Sequence, residues 1–242
     1  KTALQLVTGG ADIGAELIRY PKVKGVAFTG STATAQNIRQ SLAANVPPGT
    51  PLIAETGGLN AMIVDSTALP EVVVRDILQS AFQSAGQRCS ALRCLYVQQD
   101  ISQTLLTMLK GAMDELQIGN PWSLPTDVGP VIDQAARQQI TEYIDQARNE
   151  KRLLHELEVQ KGGEFVAPTI IQVQGILDIE KEVFGPVLHF ATFQADELHT
   201  VLNEINEAGY GLTVGLHSRI DDRVQRVLDT AKVGNCYINR NQ

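Results

Sequence analysis

Short apolar runs alternate with longer amphipathic stretches along this chain, and no other feature of the sequence restricts the fold as tightly. Strand signals interleaved with helix signals predict an α/β protein with a mainly parallel sheet. Residues 4–7 form a short apolar run broken by Gly9 and Gly10, and Asp12 is placed to cap a helix that continues through residues 14–20 until Pro21 ends it. Residues 23–28 read as a buried strand, Thr29, Gly30 and Ser31 as a tight turn, and residues 32–44 as a helix. Pro47, Pro48, Gly49 and Pro51 form a linker-like cluster before a strand at residues 52–54, so a boundary is expected there, dividing 1–54 from 55–242. Beyond it, residues 61–64, 91–97, 187–193 and 234–239 read as strands. Residues 70–83, 101–116, 136–149 and 197–207 read as helices, the last ending in a turn at 209–211.

Charge and composition limit the partners. A formal charge of −7 and a pI near 5.1 give a polyanion no electrostatic footprint, so nucleic acid is not an expected partner. No apolar run approaches the roughly 20 residues that a membrane-spanning helix needs, and no leader-like segment directs export. Cys89, Cys94 and Cys236 cannot all pair and fit neither a zinc ribbon nor a dense disulfide framework, which makes a reducing cytoplasm the expected setting. His155, His189, His199 and His217 are scattered with no close pair at ligand spacing. They are expected to be ordinary surface or packing residues, and no metal is expected.

Three segments carry chemistry when read together. Phe28, Thr29, Gly30, Ser31 and Thr32 form a small turn feeding a helix, which presents backbone N–H groups and a helix dipole to a phosphate. A glycine-rich dinucleotide fingerprint would add another glycine, and Thr34 and Ala35 stand there instead. Taken alone, the segment equally suits a plain strand-to-helix turn capped by Ser31. Glu55 sits at a strand end beside Gly57 and Gly58, and Cys89 follows Gly86, Gln87 and Arg88 after a helix. Glu55 as a solvated loop carboxylate and Cys89 as a small buried hydrophobe are the plainer alternatives.

In that order, and followed by Glu182, Val183, Phe184, Gly185 and Pro186, these segments resemble the aldehyde dehydrogenase superfamily, whose glutamate-to-cysteine spacing also agrees with the 34 residues from Glu55 to Cys89. The wording Glu-Thr-Gly-Gly-Leu-Asn-Ala, then Ser-Ala-Gly-Gln-Arg-Cys-Ser-Ala-Leu-Arg, is similar to the proline utilisation A branch, and the similarity runs along essentially the whole chain. The resemblance implies an aldehyde dehydrogenase-like fold, with a partial Rossmann-type cofactor domain at 1–54 and a catalytic thiol domain at 55–242. It further implies oxidation of L-glutamate γ-semialdehyde, the open form of pyrroline-5-carboxylate, to glutamate with NAD. Proline dehydrogenase is then expected in the same longer polypeptide, and the parent is expected to be a homo-oligomer.

Residue by residue, the resemblance makes Cys89 the nucleophile and Glu55 the general base. A thiol adduct makes the aldehyde carbon tetrahedral before hydride leaves it, and a carboxylate can activate the water that hydrolyses the resulting thioester. The Cys89 N–H is implied in the oxyanion hole, Gly30 and Ser31 in the phosphate region, Glu182 at the nicotinamide ribose, Phe184 beside the nicotinamide and Ser90 at the substrate carboxylate. An oxyanion asparagine and a cofactor-binding lysine are expected upstream of residue 1, and a glycine-rich substrate anchor beyond Gln242. The chain alone is therefore expected to be inactive. A cysteine hydrolase, a silent scaffold and a dehydrogenase for another semialdehyde such as succinate semialdehyde are the alternatives.

Overall fold

A computed structural model describes residues 3–159 and 162–242. Two compact units divide the chain, one ending at Gly57 and the other spanning Gly58–Gln242. The fold is α/β with a mainly parallel sheet, as the sequence pattern predicts.

The first unit contains α1 (Ala11–Arg19), β1 (Val26–Gly30), α2 (Thr32–Asn45) and β2 (Leu52–Thr56), with β1 and β2 parallel. Its buried apolar side chains, among the described residues, are Ala35, Ile38 and Leu42 of α2. Gly10, not Asp12, occupies the N-cap of α1, and no side chain caps it. Asp12 lies instead in the first turn, where a negative charge complements the helix dipole. The strand expected at 23–28 begins only at Val26 and runs to Gly30, so Thr29 and Gly30 are strand residues and Ser31 alone makes the change of direction. Its side chain accepts a hydrogen bond from Thr34 N–H at 3.2 Å, which satisfies one of the free donors at the start of α2.

The second unit is built on one sheet. Its strands are β3 (Asn60–Val64), β4 (Leu92–Gln98), β5 (Leu153–Glu156), β6 (Thr169–Gln172), β7 (Val187–Phe193), β8 (Thr213–His217) and β9 (Asn235–Ile238). They lie in the order β5-β6-β7-β4-β3-β8-β9, every pair parallel except β5 with β6. The helices α3 (Pro70–Phe82), α4 (Gln99–Asp114), α5 (Gln134–Asn149), α6 (Leu198–Glu207) and α7 (Asp221–Thr230) complete it. Side chains on the central strands alternate between two cores. Met62, Val64, Leu95 and Val97 join α3, α4 and α5 in one, while Ala61, Ile63, Cys94 and Tyr96 join α6 and Val227 of α7 in the other. Burial on both faces explains why β3 and β4 read as near-continuous apolar runs. The pairing of β3 with β4 carries one irregularity: Asn60 faces Leu92 and Ala61 faces Cys94, so Arg93 is an extra residue on β4.

Candidate active site

The segment bearing Cys89 begins where α3 stops. Gln83 turns the chain out of the helix, and Ser84, Ala85 and Gly86 follow with φ of 57°, 53° and 66°. Two non-glycine residues in left-handed backbone cost about 1–2 kcal/mol each, so something must hold the turn. Gly86 has no alternative: a Cβ there would lie 2.1 Å from the Gly185 carbonyl oxygen. Gln87 donates through Nε2 to the Ser84 and Pro130 carbonyls, both at 3.2 Å, and its Oε1 accepts from Ile132 N–H at 2.8 Å. Arg88 donates to Gln79 O and Ser80 O at the end of α3, where a cation suits the helix dipole, and to Gln242 O.

Cys89 itself is exposed, but its backbone is fastened. Asn60 Nδ2 donates to Cys89 O at 2.7 Å and to Ala91 O at 2.9 Å, while Asn60 Oδ1 accepts from Thr213 N–H. Gly58 passes so close that a Cβ would stand 2.6 Å from Cys89 O. The second glycine after Glu55 is thus required by contact with the cysteine segment. Ser90 is half-buried.

Arg93, wholly buried, joins this turn to the loop at residues 182–185. Its Nη2 donates to Gly86 O at 2.7 Å and lies 3.4 Å from both Arg88 O and Glu182 Oε1, while Nη1 donates to Gly185 O at 3.0 Å. The guanidinium also lies 5.5 Å from the Phe184 ring centroid, within cation–π range. Burial pushes the Arg93 pKa down to about 10 against the pull of Glu182, so it stays charged at neutral pH. Burial likewise pushes the Glu182 carboxyl above its ordinary range, opposed by Arg93 and the Gly58 N–H. In both partners, desolvation outweighs the attraction between them. Behind Arg93, His189 Nδ1–H donates to the Arg93 carbonyl at 2.8 Å, and Nε2 lies 2.8 Å from Tyr143 OH. Burial pushes this imidazole down to about 4, so it is neutral and Nε2 accepts from the tyrosine.

The structure therefore gathers the expected residues into two groups. Gly30 and Glu55 lie on paired strands, Thr29 opposite Glu55 and Gly30 opposite Thr56, with Ser31 next in line and all three exposed. A cleft of about 780 Å³ in the same unit is lined by Thr32, Ala35, Arg39, Leu42, Leu52 and Thr56, not by Gly30 or Ser31. In the second unit, the segment bearing Cys89 and Ser90 meets the loop bearing Glu182 and Phe184 on Arg93. Asn60 and Arg93 had no role in the sequence reading. Both stood inside its motifs, and a buried guanidinium with several carbonyl partners was not legible from residue type. Among the described residues no cluster of His, Cys, Asp and Glu could hold a metal ion, and no helix is long and apolar enough to cross a membrane.

Comparison with known proteins gives this geometry a family. The sequence model described as "Aldehyde dehydrogenase family" matches residues 1–242. The "Bifunctional protein PutA" of Klebsiella aerogenes is 48% identical over 250 residues, which cover 98% of this chain and 19% of that protein. The chain thus spans about a fifth of the length of that curated relative. A crystal structure of "bifunctional proline utilization A (PutA) protein" superposes with a TM-score of 0.95 at 50% identity, covering 99% of this chain and 24% of the other. The 1-pyrroline-5-carboxylate dehydrogenase from Thermus with bound NAD superposes with a TM-score of 0.86 at 29% identity, covering 95% of this chain and 45% of the other. With its whole length matched, its sheet shared and its cysteine, glutamate and phenylalanine motifs in order, this chain belongs to the aldehyde dehydrogenase family.

Proposed function

We propose that this chain supplies the thiol-bearing part of an NAD-dependent dehydrogenase that oxidises L-glutamate γ-semialdehyde to glutamate. The observation that carries the reading is the segment at residues 84–89: an exposed thiol on a backbone fastened by Asn60, Gln87, Arg88 and Arg93. Rigid placement of a nucleophile is worth several orders of magnitude in rate, and a thiol is otherwise a poor reason to fasten so much backbone. The choice of substrate is supported by the similarity to proline utilization A and to a 1-pyrroline-5-carboxylate dehydrogenase.

In this reading Cys89 Sγ attacks the aldehyde carbon and forms a thiohemiacetal, and loss of hydride leaves a thioester on Cys89. Glu55 takes a proton from the water that hydrolyses the thioester, releasing glutamate and the thiol. The Cys89 N–H stabilises the oxyanion, and Ser90 orients the substrate carboxylate. The residues fit NAD by their chemistry. Ser31 and Gly30 stand at the exposed start of α2, suited to a phosphate, and the part-buried Glu182 carboxylate can accept from two ribose hydroxyls beside the 45% exposed Phe184 ring. When bound, NAD supplies the hydride acceptor. The part up to residue 54 serves the cofactor and residues 55–242 the thiol chemistry. A cytoplasmic homo-oligomer with proline dehydrogenase in the same longer polypeptide is the proposed setting.

The test compares two lengths. A polypeptide extended to the length of the relatives should form NADH from glutamate semialdehyde, and Cys89→Ala in it should abolish that turnover while leaving NAD affinity within about twofold. As the chain spans about a fifth of the length of its PutA relative, the 242-residue chain assayed alone should fall more than tenfold below it. Normal turnover by Cys89→Ala would overturn the assignment of the nucleophile.

A further inference from the structure

The role of Arg93 begins in the strand register. One extra residue in β4 opposes none in β3, and such bulges re-aim a side chain that regular alternation would send into a core. Leu92 and Leu95 pack in one core and Cys94 in the other, with the fully buried Arg93 between them in the chain. Instead its guanidinium holds carbonyls of two segments: Gly86 and Arg88 of the turn before Cys89, and Gly185 of the loop that carries Glu182 and Phe184. These segments also touch directly, since the Gly86 α-carbon leaves no room for a Cβ against Gly185 O. Only Nε of the guanidinium lacks a partner among the described residues.

We propose that Arg93 is a positioning residue that sets the thiol turn and the Glu182 loop as one body, so that grip on the cofactor and placement of Cys89 are controlled together. The proposal rests on the dehydrogenase reading for its consequence in catalysis, but not for the coupling itself. A planar fork with fixed donors suits this task, because it engages three carbonyls and a carboxylate at once, whereas the single ammonium of lysine cannot match that geometry. No atom of Arg93 is assigned contact with substrate.

Two measurements on the 242-residue chain test the coupling. In Arg93→Met and Arg93→Lys, hydrogen exchange of the amides at 84–90 and 182–185 should both accelerate at least tenfold, with the amides of β3 and β8 unchanged within twofold. Acceleration confined to one segment, none in either, or equal acceleration throughout the sheet would overturn the proposal. Should neither variant fold, the wild-type chain still decides it: exchange in graded urea should reveal both segments opening in one step, at the same free energy and below global unfolding, and separate openings would overturn it. The extended polypeptide then tests the consequence. Arg93→Lys should raise KM for NAD and lower kcat, each at least tenfold, and on a Glu182→Gln background its effect on KM should shrink below twofold while the loss in kcat persists. A wild type that forms no NADH would defeat the proposed function and leave the exchange result standing; an active wild type with Arg93→Lys unchanged in both constants would defeat the role assigned to Arg93.

Discussion

Two glycine-bearing turns in this chain are held in opposite ways. At Ser31 the change from strand to helix is local: one hydroxyl accepts from Thr34 N–H, and the residues around it are exposed. At residues 84–86 the backbone is left-handed three times in succession, and it is held by side chains from the segment beyond it, by Gln87, Arg88 and Arg93. A turn whose conformation is ordinary needs only its own residues. A turn that stores strain persists only where surrounding groups over-determine it, and such turns gather at sites that must present a group in one geometry.

Gly86→Ala tests that difference most severely. It adds a Cβ at φ 66° and 2.1 Å from a backbone oxygen, so it should cost about 4 kcal/mol, read as a fall in the urea midpoint with the slope unchanged. Acid reaches the same turn more gently, through His189. Its folded pKa is depressed from 6.5 to about 4, so the unfolded chain binds a proton that the folded chain refuses between those values. Stability from this group is complete above about pH 6.5 and falls as the pH drops toward 4, by up to about 3 kcal/mol. Urea titrations at several pH values should find that part of the slope missing in His189→Gln, and an identical slope in the two proteins would remove His189 from the account. The smallest effect belongs to the other turn. Gly30→Ala has no left-handed φ to violate, and its Cβ would meet only the far end of the Phe28 ring at 2.5 Å, so it should cost about 0.5 kcal/mol or less. A loss as large as that of Gly86→Ala would erase the distinction drawn between the two turns.

The same difference decides what could be read from sequence. Strands β3, β4 and β7 and helices α3 to α6 were legible within two residues or so at either end, because each carries an apolar pattern set by its own core contacts. β5, β6, β8 and α7 were not legible. β5 contains His155 and Glu156 and is only half-buried, so it has no apolar run. β6 has just Ile170 and Ile171 between polar ends, and β8 is interrupted by Gly215, which lies against Met62 and Gln242. In α7 only Val227 is buried, and Asp221, Asp222, Arg223, Arg226 and Asp229 break up the apolar pattern. Of the residues proposed for catalysis and cofactor binding, Cys89, Glu55, Glu182 and Phe184 could be named from sequence because their types and order carry a family pattern. Arg93 and Asn60 were not, since their roles depend on a bulge and on carbonyls up to 92 residues away.

Asn60 also bears on the order in which the molecule assembles. Its amide group holds Cys89 O on one side and Thr213 N–H on the other, and the second bond closes a separation of 153 residues. Contacts across long loops form late, because the chain surrenders loop entropy before the bond repays it. During synthesis the thiol emerges well before β8 exists to dock beside β3. The hydrogen bonds of Asn60 to Cys89 O and Thr213 N–H are therefore complete only once β8 lies beside β3, so the backbone seat of the thiol doubles as a mark that the sheet has closed.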